Sequence, residues 1–119
     1  MGVKRTMKKI EAIVRPEKLT IVKDSLGDAG FYGLNTTQVT GRGGQRGIVH
    51  TGRAGQTITV DMLPKIKLEM VVKDSDVETA IDIIIESART GEIGDGKIFI
   101  HPIEDTIRVR TGERGDDAV

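Results

Sequence analysis

Residues Met7 to Val14 alternate in polarity, with Ile10, Ala12 and Val14 on one side and Lys9, Glu11 and Ile13 on the other. A period of two over this length predicts a half-buried strand. Arg15-Pro16 ends it, and proline suits the first turn of a helix. Leu19, Val22, Leu26 and Ala29 then recur at helical spacing as far as Gly30, which predicts a first helix. Leu34 to Thr40, rich in Thr and Val, reads as a second strand. Extended character resumes from Ile58 to Val72, where Ile66, Leu68 and Met70 alternate with Lys65, Lys67 and Glu69. Pro64 inside that run predicts a bulge or an edge position. Ser75-Asp-Val-Glu78 has capping-box spacing, and Val77, Ala80, Ile81, Ile84, Ile85 and Ala88 form an apolar helical face behind it. Ile98-Phe99-Ile100 and the strictly alternating Thr106 to Thr111 read as the closing extended segments.

The order is βαβ, loop, βαβ. Two such halves predict an α+β, ferredoxin-like sandwich: a four-stranded antiparallel sheet, two helices on one face, and a long loop between the second and third strands. The other sheet face would be bare, which on a small chain points to self-association. Residues 1–6 read as an N-terminal extension and 7–119 as one domain, with a central loop at about 42–58, a second loop at about 90–97 and a C-terminal tail from about 103. A chain of 119 residues suits one domain. Folding hides about 65% of the unfolded surface at this size, enough for one core. With no Trp and only Phe31, Phe99 and Tyr32 as aromatics, that core is aliphatic.

Lys plus Arg number 18 against 18 Asp plus Glu, so the net charge is zero. This argues against a generic polyanion binder, and the few aromatics argue against base stacking. There is no Cys, hence no disulfide, thiolate nucleophile or thiolate metal site. No apolar run approaches the ~18 residues of a membrane span, and no signal-like h-region follows the first residues, so a cytoplasmic protein is expected. The charge is unevenly placed, however. Between Asp28 and Asp61 no acid occurs, while Arg42, Arg46 and Arg53 do, among eight of the fifteen glycines. A glycine-rich loop this long inside a compact domain reads as mobile and functional.

Arg108 and Arg110 alternate with Ile107 and Val109, so both guanidinium groups are expected on the same strand face, roughly 7 Å apart. Two guanidinium forks at that spacing can grip a polyphosphate. Gly94-Asp-Gly-Lys97 places bare amides and an ammonium where an anion can approach. Gly41-Arg-Gly-Gly-Gln45-Arg-Gly47 is a third anion-friendly element, but it opens no helix and so is neither a Walker loop nor a dinucleotide fingerprint. His50 and His101 have no nucleophilic or metal-binding context, and no hydrolytic or transfer machinery is visible, so no enzyme is expected.

Thr90-Gly-Glu-Ile-Gly-Asp-Gly-Lys97-Ile-Phe and Ile107-Arg-Val-Arg-Thr-Gly-Glu-Arg114-Gly, together with Leu63-Pro-Lys-Ile-Lys67 and Met7-Lys-Lys-Ile-Glu-Ala-Ile, closely resemble the PII nitrogen-regulatory signal-transduction family. The likeness spans Met7 to Val119. It implies a homotrimer with ATP or ADP in clefts between subunits, 2-oxoglutarate sensing beside the ATP, and a long loop that docks onto a target, either an ammonium transport channel or a nitrogen-metabolism enzyme. Membrane recruitment would then come only through a channel partner. Carried over by residue, Gly94, Asp95, Gly96, Lys97, Arg108 and Arg110 match the phosphate-binding positions, Glu69 and Val71 the adenine pocket, and Gly41, Gly43 and Gln45 the base of the target loop. Gln45 matches a Mg²⁺ ligand shared with 2-oxoglutarate, a hard cation taking oxygen donors, and Lys65 a 2-oxoglutarate carboxylate partner. Arg46 and Arg53 match target-contacting positions. The sequence departs from the family in having Arg42 where an aromatic is common and Gly44 where a base usually precedes the glutamine. The loop tyrosine that relatives modify is absent, Tyr32 lying before the second strand. A second reading, from the residues alone, is an RNA-binding sheet served by the basic Gly/Arg loop, which requires exposed aromatics on central strands.

Overall fold

The structure, a computed structural model, describes residues 6–42, 48–51, 57–60 and 62–119. β1 (Met7–Val14) leads through a 3₁₀ turn at Pro16–Lys18 into α1 (Leu19–Asp28), followed by β2 (Asn35–Gly41). Next come β3 (Ile48–Thr51), β4 (Thr57–Val60), β5 (Leu63–Lys73), α2 (Val77–Ala88) and β6 (Lys97–Ile103). One antiparallel sheet runs β2-β5-β1-β6, and β3 and β4 pair separately. This is the ferredoxin-like order expected from two βαβ halves.

The alternation in β1 is realised: Ile10, Ala12 and Val14 are buried. On β5 the same face carries Ile66, Leu68, Met70 and Val72. Val22 and Leu26 of α1 and Ala80, Ile84 and Ala88 of α2 close over them, and the two helices pack side by side. Leu19, Val77 and Ile98 border the core, whereas Ala29 is exposed at the end of α1.

Four expectations need correction. The extended run from Ile58 to Val72 is two strands. β4 pairs with β3 inside the span read as a mobile loop, and the sheet strand begins only at Leu63. Pro64 is tolerated because β1 stops at the Val14–Ile66 pair, so only β2 flanks the proline. The Ser75 capping box does not form. A 3₁₀ turn at Asp74–Asp76 precedes α2 and no side chain caps it. Finally, Thr106 to Thr111 is not a strand. Ile107 bridges Arg114, and the Gly112 amide donates to the Arg108 carbonyl at 2.7 Å, so the segment turns back on itself. Arg108 and Arg110 therefore do not share a strand face.

Candidate functional site

The segment between α2 and β6 is organised around one carboxylate. Asp95 accepts from the Thr90 hydroxyl at 2.5 Å and from the Thr90 and Gly91 amides at 2.9 Å each. Arg15, the residue just past β1, donates from Nε to Asp95 at 3.0 Å and from Nη2 to the Ile93 carbonyl at 2.9 Å. Led by the Thr90 hydroxyl, these donors hold the Asp95 carboxyl well below the usual carboxylate range, against the partial burial that would raise it. A second cation grips the segment from β5: the nearly buried Lys65 donates from Nζ to the Gly94 carbonyl at 2.5 Å.

Glycine is compulsory at one position here. A Cβ on Gly96 would sit 1.7 Å from the Ile13 carbonyl oxygen, and its φ of +106° already excludes most side chains. Gly94 likewise has φ +103°. The loop is thus pressed against β1, held by Arg15 and Lys65, and delivers Lys97 as the first residue of β6.

Strand register sorts the expected site residues into two groups. Lys97 pairs with Ile13, and Gly41 with Leu63, so Gly41, Lys65, Gly94, Asp95, Gly96 and Lys97 gather at one end of the sheet. At the other end Met7 pairs with Ile103 and Lys73. Val71 pairs with Lys9 toward that end, and Glu69 with Glu11 midway. The base of the 106–114 turn is fixed there as well. The Gly115 amide donates to the Thr106 carbonyl at 3.0 Å, and Thr6, just before β1, donates from its hydroxyl to Asp116 at 2.8 Å. Six residue steps along β6 separate the ends by about 20 Å. Within the turn Arg108 pairs with Glu113 at 3.0 Å, and Arg110 is exposed. Gly43, Gln45, Arg46 and Arg53 lie outside the described residues.

Arg15 is the residue that sequence reading passed over. Its only local signal, a base before Pro16, marks a strand end and gives no hint of a contact with residue 95. The sheet face away from the helices carries Lys9, Glu11, Lys67, Glu69, His101 and one aromatic among the described residues, Phe99. Phe99 stands on the edge strand β6, so the central-strand stacking platform that an RNA reading requires is not there. Among the described residues no group of three His, Asp or Glu could hold a metal, and no helix is long and apolar enough to cross a membrane.

The fold and site thus define a small ferredoxin-like α+β protein with a cation-backed glycine loop at one end of its sheet and an arginine-bearing turn at the other. The family model for nitrogen regulatory protein P-II matches residues 7–113. Nitrogen regulatory protein P-II 2 of Methanothermobacter thermautotrophicus is 52% identical over 113 residues, 95% of this chain and 97% of the relative. Nitrogen regulatory protein P-II of Cereibacter sphaeroides is 53% identical over 113 residues, 95% of this chain and all of the relative. The crystal structure of Arabidopsis thaliana PII bound to citrate superposes with TM-score 0.78 at 43% identity, covering 98% of this chain and 94% of that one. The chain belongs to the P-II family of nitrogen regulatory proteins, whose members are named as regulators of nitrogen metabolism and not as enzymes.

Proposed function

We propose that this chain senses ATP and ADP in clefts between the subunits of a homotrimer and passes the result, through its long central loop, to a nitrogen-metabolism target, with an ammonium transport channel as the leading candidate. The observation that carries the reading is the division of the site residues between opposite ends of one sheet. No single chain can close both ends on one polyphosphate across about 20 Å. A head-to-tail pairing, with the glycine loop of one copy facing the arginine turn of the next, completes the site, and heterologous contacts of this kind generate rings. Gly94, Asp95, Gly96 and Lys97 then form the phosphate side of one copy, with Gly41, Gly43 and Gln45 beside them. Arg108 and Arg110 supply the guanidinium forks of its neighbour, with Glu69 and Val71 lining the adenine side.

In this reading 2-oxoglutarate is an effector whose carboxylate pairs with Lys65, an ammonium with a single carbonyl partner among the described residues. The citrate in the Arabidopsis relative shows that a PII structure accepts a small polycarboxylate. With no cluster of carboxylates among the described residues, a Mg²⁺ would be held by phosphate and 2-oxoglutarate oxygens with Gln45. Arg46 and Arg53 are the target-facing cations, and a cation presented to a pore mouth can block by charge and bulk. The nucleotide bound switches the loop only by its differential affinity for the loop's states.

Calorimetry with ATP and ADP, each with and without Mg²⁺ and 2-oxoglutarate, tests the reading. Micromolar binding with one nucleotide per subunit is expected, and an Arg108→Ala/Arg110→Ala variant should lose phosphate recognition while staying folded. No binding at millimolar nucleotide, or a monomer by light scattering that binds as well as the trimer, overturns it.

A further inference from the structure

We propose that Arg15 and Asp95 act as one positioning unit that sets the shape of the nucleotide loop, and that the Asp95 carboxylate is not itself a ligand contact. The inference rests on the nucleotide reading above and assigns the internal support of that same site.

A carboxylate inside a loop that receives phosphate is a liability by charge alone. Here its acceptor capacity is spent inward. One oxygen takes the Thr90 and Gly91 amides, and the other takes the Thr90 hydroxyl and Arg15 Nε. The same guanidinium spans to the Ile93 carbonyl through Nη2. One planar fork thereby fixes two points of the loop, two residues apart, to the end of β1, which a lysine with a single point charge cannot reproduce. Both side chains are 24% exposed, so the pair is shielded from solvent. Gly96 then locks the loop exit against the Ile13 carbonyl, directly behind Lys97. Displacing the Arg15 fork would free the Ile93–Asp95 stretch while leaving β6 anchored, so the loss would fall on the loop's fit to its ligand.

Two explanations make opposite predictions. If Asp95 and Arg15 influenced the ligand only through their charge, removing the negative one would tighten ATP binding and removing the positive one would weaken it. If they position the loop, both removals weaken it, and removing both weakens it no further than either alone, because residues that act as a unit are not additive. ATP affinity of the full-length assembled protein should fall about tenfold for Arg15→Ala and for Asp95→Asn, the scale of one charge-assisted hydrogen bond. The Arg15→Ala/Asp95→Ala variant should fall by the same factor, and Arg15→Lys should not restore it. Amide exchange at Thr90 and Gly91 should rise in every one of these variants. Thr90→Val, which removes one exposed hydroxyl, serves should the others not fold, and should weaken ATP about threefold on the same scale. Tighter ATP binding by Asp95→Asn, additive losses, or full rescue by Arg15→Lys overturns the assignment and leaves the nucleotide reading standing. Absence of ATP binding by the unsubstituted protein overturns the nucleotide reading, and the assignment falls with it.

Discussion

The two ends of the sheet solve opposite problems. The 90–96 loop is over-determined: a carboxylate satisfied on all sides, a cation just past β1, another on β5 and a glycine in contact with backbone fix it to the fold. The 106–114 turn is held at its base, and its tip is free. Val109 is fully exposed, and the side-chain ties within the turn, Arg108 to Glu113 and the Glu113 amide to the Thr111 hydroxyl, involve exposed or partly exposed groups. Rigid on one side and adjustable on the other is a workable division for a site closed by two copies. In the proposed site the stiff half would present amides and Lys97 without reorganisation, and the pliant half would bring arginines to the phosphate chain.

The widest contrast should come from alanine at two glycines, both with positive φ. Gly96→Ala must move β1 or the loop, and should cost at least ~3 kcal/mol, a fall in Tm of roughly 10 °C for a domain of this size. Gly112→Ala in the turn meets nothing within 4 Å and has φ +74°, so only the conformational penalty of about 1 kcal/mol applies. Thermal unfolding of the two variants checks this. Equal losses would show that the loop is no more constrained than the turn.

Acid separates the ends next. Because Asp95 is held below its ordinary range in the fold, the unfolded chain binds its proton first as pH falls. Its contribution is complete above the unfolded carboxylate range near pH 4 and is lost as pH drops from there toward the lower folded value. The urea midpoint of Asp95→Asn should therefore lie below that of the unsubstituted protein at pH 7, and the gap should close below pH 4. A gap that stays constant with pH would mean that the carboxylate charge is irrelevant to the loop.

These contrasts were unevenly legible in the sequence. β1 and α2 declared themselves because their periods, two and 3.6, are enforced by one buried face. The glycines of the 90–97 loop were legible as well, but the reason for Gly96 was not, since it lies in a contact with a carbonyl at residue 13. Arg15 and Asp95 are eighty positions apart, and no local pattern links them. The 106–111 segment misled in the other direction. Ile107 and Val109 alternate with Arg108 and Arg110 as in a half-buried strand, yet both apolar residues are exposed in the single chain. Alternation reports that two faces differ, and here nothing among the described residues covers the apolar one. The proposed neighbouring copy supplies a reason for the pattern that the isolated fold does not.

The smallest effect lies in the turn itself. The Arg108–Glu113 pair joins side chains 38% and 45% exposed, so its Coulomb gain is screened and offset by ordering two long side chains. Glu113→Gln should change stability by no more than about 0.5 kcal/mol, and 1 M salt should erase even that. Its value as a test is in ligand affinity. In the proposed site Glu113 would compete with phosphate for the Arg108 guanidinium, so neutralising it would release the fork, and ATP should bind the Glu113→Gln protein slightly more tightly, by about twofold, at an unchanged Tm. Weaker binding would mean that Glu113 presents Arg108 to the ligand, in which case the turn is as preorganised as the loop and the contrast between the two ends of the sheet disappears.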